Sequence, residues 1–127
     1  MALRIGFDLE SPARVSESLA AHGERYLRRV YTGAELADCR RAGVVDPRRL
    51  AARFAAKEAA FKAIGVGAAA ASWQDVEVLR GPSANTRLVL RGDAATLAQA
   101  AGVRELSLSL SCAGGFAAAI VIASVSG

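Results

Sequence analysis

The chain has 127 residues, 53% of them apolar and 6% aromatic, and a formal net charge of +4. That length suits one domain, residues 1–127, which can bury a core without disulfide or metal staples. It holds no apolar run of about 18 residues that would span a membrane.

The stretch from Met1 to Gly6 lacks the long apolar segment of a signal peptide, and Cys39 and Cys112 show no CxxC spacing. A reduced, cytoplasmic protein is therefore expected. From Leu3 to Leu9, Leu3, Ile5 and Phe7 alternate with Arg4, Gly6 and Asp8, which predicts a strand with Asp8 near its C-terminal end. Ser11-Pro12 starts a helix that runs to about Ala21 and ends at Gly23. Glu24 to Val30 reads as a short amphipathic turn or helix. Thr32 and Glu35 match a capping box, opening a helix to about Arg41. Asp46-Pro47 opens the longest helix, which reaches about Ile64 and is closed by Gly65-Val66-Gly67. Ala68 to Ser72 is a small-residue loop. Strands are predicted over Asp75–Leu79 and Thr86–Arg91, around the hairpin signal Gly81-Pro82-Ser83-Ala84-Asn85. A helix over Asp93–Ala101 leads to a strand over Glu105–Ser111, a turn at Gly114-Gly115 and a last strand over Phe116–Val125. This order predicts an α+β domain, a mainly antiparallel sheet packed against helices.

Positive charge is carried almost wholly by arginine, 14 Arg against Lys57 and Lys62, with eight Arg between Arg25 and Arg53. Such a field attracts acidic partners, although a solvated Arg-rich surface is the plain alternative. Nucleic acid is a poor match, because aromatic residues are not interleaved with the arginines as stacking platforms require.

The long helix carries the chemistry. At about 100° per residue, Leu50, Phe54, Phe61 and Ile64 form one stripe, and alanines cover most of the rest. Lys57 falls inside the apolar stripe, so it must either snorkel outward or meet an anion. Glu58 and Lys62 are four residues apart. Their plain reading is a surface pair worth about 0.3–0.5 kcal/mol. Asp8 follows a strand and precedes a helix, and its plain reading is a turn or cap residue. The sharper reading joins Asp8 and Glu58 around one magnesium ion, which takes one or two protein carboxylates and binds substrate phosphates.

Over nearly the whole chain these residues resemble the holo-(acyl-carrier-protein) synthase family of small phosphopantetheinyl transferases. The resemblance rests on Ile5-Gly6-Phe7-Asp8-Leu9, on Tyr31-Thr32-Gly33-Ala34-Glu35-Leu36, and above all on Ala52 to Ala59 with Lys62-Ala63-Ile64-Gly65. Ser72 to Val78 and Leu106 to Ser111 resemble later strands of the family. The resemblance implies a homotrimer with active sites at protomer interfaces. It implies magnesium at Asp8 and Glu58, with Lys62 on the coenzyme A diphosphate. Coenzyme A would also meet Arg53, Lys57, Gly65, Ser111 and Cys112. Arg14, Arg25 and Arg28 would hold an acidic acyl-carrier protein. The reaction implied is transfer of 4'-phosphopantetheine to a carrier serine with release of 3',5'-ADP, with Glu58 or a metal-bound water as base. The carrier's pathway, fatty-acid, polyketide or peptide, is left open.

The sequence departs from the family at Cys112, where Ser-His is usual. A cysteine supplies neither that cation nor a strong donor. Either coenzyme A binds less tightly, or another Arg substitutes; a relative that binds without efficient transfer is the alternative function. Cys112 as a nucleophile is the less favoured idea, since no His accompanies it. The one histidine, His22, stands at a helix end and carries no expected role.

Overall fold

The computed structural model describes residues 1–67, 70–81 and 85–126. Its strands and helices, in chain order, are β1 (Ala2–Glu10), α1 (Pro12–His22), α2 (Glu24–Val30), α3 (Gly33–Cys39), β2 (Arg40–Arg41), β3 (Val44–Val45), α4 (Pro47–Ile64), β4 (Val76–Arg80), β5 (Thr86–Leu90), α5 (Gly92–Ala100), β6 (Val103–Ala113) and β7 (Phe116–Val125). A 3-10 turn, Trp73–Asp75, leads into β4.

The helix starts are set by local chemistry. Ser11 accepts from the Arg14 amide with Pro12 in the first turn of α1, and Asp46 does the same for Arg48 with Pro47 opening α4. Thr32 and Glu35 complete the capping box of α3. Gly65 ends α4 in the left-handed region, at φ 88°.

Three antiparallel units result. The largest runs β1-β7-β6, and β2-β3 and β4-β5 are two-stranded. The end of the third helix differs from the sequence expectation. Arg40 and Arg41 leave the helix and pair with Val45 and Val44. The intervening Ala42 and Gly43 both have positive φ, 51° and 79°, the geometry of a tight hairpin turn. The expected loop at Ala68 and the hairpin tip at Pro82–Ala84 lie outside the described residues in part.

The helix α4 covers the inner face of the large sheet. Alanines 55, 56, 59, 60 and 63 are wholly buried there, against Ala119, Val121 and Ala123 of β7. Strand β1 meets the same helix through Gly6. The apolar stripe Leu3, Ile5, Phe7 and Leu9 lies on the other face and is exposed. The Gly6/Asp8 side is thus the buried side of β1, because helix backbone can reach a sheet only where side chains are absent or small.

A buried polar network ties α3, α4 and β4 together. Lys57 is wholly buried and donates to Glu35 Oε1 at 2.8 Å, to the Trp73 carbonyl at 3.0 Å and to the Val76 carbonyl at 2.6 Å. Glu35, also wholly buried, accepts from the Thr32 amide and the Val78 amide. Removing one partner of such a pair typically costs about 3–5 kcal/mol, since the other charge is left unpaired.

Candidate active site

On β1, Asp8 and Glu10 are two residues apart and therefore share a face. Asp8 is opposite Ala119 and Glu10 opposite Ala117, both small buried residues of β7. The alanines leave room above the sheet, and α4 brings Glu58 into it. Carboxylate oxygens of Asp8, Glu10 and Glu58 lie within 4.8 Å of one another. The close approach of α4 depends on Gly6. A Cβ there would sit 1.8 Å from the Ala59 carbonyl oxygen and 2.8 Å from the Ala63 amide nitrogen.

Three crowded carboxyls resist ionising together. The Glu10 carboxyl is pushed up to about 9, by burial first and then by the neighbouring Asp8 and Glu58 carboxyls. Burial also raises Glu58, helped by the nearby Asp8 carboxyl and opposed by the Lys62 charge. Lys62 donates to the Phe7 carbonyl at 3.0 Å and to Asp8 Oδ1 at 3.1 Å. The other Asp8 oxygen, Oδ2, is buried with no hydrogen-bond partner among the described residues. An orphaned carboxylate oxygen beside two further carboxyls fits a divalent cation such as magnesium, whose preferred ligands are hard oxygens.

The expected magnesium pair, Asp8 and Glu58, therefore meets. Glu10 was missed, although its signal was the period of two from Asp8 along one strand. Lys62 turns to Asp8 rather than forming the surface pair with Glu58. Gly65 is exposed at the end of α4, and Arg4 donates to the neighbouring Ile64 carbonyl at 2.9 Å. Lys57 does not join this group. Its three donors are spent inside the chain, so the ammonium is not presented to a ligand.

A second, basic feature lies on the other flank of α4. Arg53 is five residues before Glu58, about 140° away around the helix. It lines a cleft of about 310 Å³ with Arg41, Asp46, Arg48, Arg49, Ala52 and Cys112. A neighbouring cavity of about 180 Å³ is lined by Arg49, Arg53, Arg80 and Thr86. The Arg53 side chain is 7% exposed and its Nη2 lies 3.7 Å from Asp38. Ser111 and Cys112 are chain neighbours on opposite faces of β6. Cys112 is opposite Ala117, on the α4 side. Arg14, Arg25 and Arg28 are all exposed on α1 and α2, and among the described residues only Arg28 has an acidic neighbour, Glu24 at 3.7 Å. His22 is exposed in the last turn of α1.

Known proteins match both the sequence and the fold. The family model described as the 4'-phosphopantetheinyl transferase superfamily matches residues 4–121. A holo-[acyl-carrier-protein] synthase of Koribacter versatilis is 44% identical over 124 residues, 96% of this chain and 98% of its own. One from Moorella thermoacetica is 42% identical over 123 residues, 94% of this chain and 92% of its own. Among solved structures, the Helicobacter pylori holo-[acyl-carrier-protein] synthase in complex with coenzyme A superposes with a TM-score of 0.82 at 28% identity, covering 94% of this chain and 99% of that one. The Chronobacterium ammoniagenes ACPS–CoA complex gives 0.86 at 26% identity over the whole of both chains. With the match running almost end to end in sequence and in fold, the chain belongs to the 4'-phosphopantetheinyl transferase superfamily, a family of enzymes.

Proposed function

We propose that this chain transfers the 4'-phosphopantetheine group of coenzyme A to a serine of an apo acyl-carrier protein, releasing 3',5'-ADP, with magnesium required. The observation that carries this reading is the convergence of Asp8, Glu10 and Glu58 beside Lys62, with one Asp8 oxygen unpartnered. Magnesium held by these carboxylates would supply charge neutralisation at the diphosphate and a better leaving group. Two of the three Lys62 donors are committed to Phe7 and Asp8, which leaves one N–H for a phosphate oxygen. Gly65 keeps the adjoining rim free of a side chain. The proton of the attacking serine would pass to Glu58 or to a metal-bound water beside it.

The phosphates at the nucleotide end call for cations, and Arg41, Arg48, Arg49 and Arg53 around Cys112 supply them. In this reading arginine replaces the histidine usual in the family, with Ser111 at the outer rim. The carboxylates and the basic cleft occupy opposite flanks of α4. A neighbouring copy can therefore offer its cleft to these carboxylates, which supports a homotrimer with sites between protomers. The exposed arginines Arg14, Arg25 and Arg28 suit docking of an acidic carrier protein.

The test is an assay with coenzyme A and an apo carrier, read as the mass gained by the carrier. Asp8→Asn and Glu58→Gln are each expected to lower the rate about 100-fold or more while the fold is kept. Near-normal rates in both variants would remove this site. Run at rising salt, the same assay should show weaker carrier binding; binding that stays flat would take the Arg14, Arg25 and Arg28 surface out of the reading.

A further inference from the structure

Both cysteines are free thiols, and their settings differ. Cys39 is wholly buried, and burial pushes its thiol up to about 11, which suits a packing role. Cys112 is exposed near the end of β6 and lines the cleft of about 310 Å³ with Arg41, Arg48, Arg49 and Arg53, against a single carboxylate there, Asp46. That carboxylate is already engaged, accepting from the Arg48 amide and lying within 4.0 Å of Arg41 and Arg49. A second observation concerns the cleft wall. The Arg53 side chain is more than nine-tenths buried, and its Nε has no hydrogen-bond partner among the described residues. A buried donor without an acceptor is unfavourable, and the side chain that carries it forms one wall of the cleft.

An exposed thiol that shares a cleft with four guanidinium groups is a place where anions concentrate near a sulfur. We propose that Cys112 is a site of reversible S-thiolation by small anionic disulfides, those carrying carboxylates close to the sulfur. The Cys112 sulfur attacks one sulfur of the incoming disulfide. A Cys112 sulfur–sulfur bond forms, the incoming bond breaks, and the departing half leaves with the electron pair as a thiolate. The Cys112 proton passes to solvent or to that thiolate, and no further oxidant is needed. The thiol lies on the α4 side of the sheet, away from the apolar outer face. An adduct would fill the basic cleft and keep other anions out, coenzyme A among them if the reading above holds.

The experiment compares three disulfides on the folded protein by intact mass and peptide mapping: glutathione disulfide, which is anionic, 2-hydroxyethyl disulfide, which is neutral, and cystamine, which is cationic. A single adduct on Cys112, absent in Cys112→Ser and released by a dithiol, is expected. At low salt the anionic probe should react about tenfold faster than the cationic one or more. The ratio should shrink at high salt and in the double variant Arg41→Gln/Arg48→Gln, whose two sites are exposed and whose folding is checked by melting. No adduct on Cys112, or cystamine reacting as fast as glutathione disulfide, would overturn the proposal. The readout uses neither coenzyme A, carrier protein nor magnesium, so it stands or fails apart from the transferase reading.

Discussion

Glu10 has Asp8 and Glu58 as its neighbours, and its carboxyl is held up at about 9, mainly by burial. In the unfolded chain the same group titrates near 4.5. Between those values the folded protein keeps a proton that the unfolded chain has lost. A raised carboxyl of this kind favours folding fully below about pH 4.5, and that contribution fades as pH climbs towards about 9. A divalent ion favours the ionised form and competes with the proton, so its stabilising effect should grow with pH. The melting temperature in magnesium minus that in chelator is expected to be larger at pH 8.5 than at pH 6, and Glu10→Gln should flatten the difference. An equal gap at both pH values would count against a cation among these carboxyls. The types of Asp8 and Glu58 made them legible as a pair in sequence. Glu10 was two residues from one of them and still went unremarked, because a strand shows which residues share a face but not that α4 leaves that face open. Lys57 was legible as a cation needing an anion. Its partner Glu35 lies 22 residues away and had to come from the fold.

At the scale of elements, Gly6 governs how closely α4 approaches β1. The atoms that a Cβ would strike are backbone, the Ala59 carbonyl and the Ala63 amide, and neither can turn aside as a side chain can. Gly6→Ala should therefore push the helix outward. Overpacking of this sort typically costs about 1–3 kcal/mol. The shift should also carry Glu58 away from Asp8, so transfer should fall together with stability. Denaturant unfolding and the carrier assay on the same preparation check both halves, and a variant with wild-type stability and rate would mean that the helix is not held by this contact. Helix starts were legible because Ser11-Pro12, Asp46-Pro47 and Thr32–Glu35 are short-range signals. The β2-β3 hairpin was not. Its strands have two residues each, and its turn sets Ala42 at positive φ, a conformation that propensity does not anticipate for alanine.

At the scale of the molecule, the outer face of β1 and β7 is the least resolved feature of a lone chain. Leu3, Ile5, Phe7 and Leu9 alternate outward from β1 with exposures of 65, 67, 47 and 53%, and Phe116, Ile120 and Ile122 continue the patch on β7. A contiguous apolar surface of this size marks an interface. Burying the exposed half of one such side chain is worth about 1 kcal/mol. Association itself costs about 4–15 kcal/mol, so the face works only when several residues are covered together. Ile5 stands opposite Ile122 in the middle of that face. If the chain assembles as the proposed trimer, Ile5→Arg should yield monomers, whereas Ile5→Val should leave assembly intact, as followed by light scattering during gel filtration. If sites do form between protomers, the Arg variant should lose transfer while its carboxylates remain in place. Loss of the trimer with transfer kept would separate assembly from catalysis. Monomeric behaviour of the unaltered protein at micromolar concentration would leave this face for some other partner.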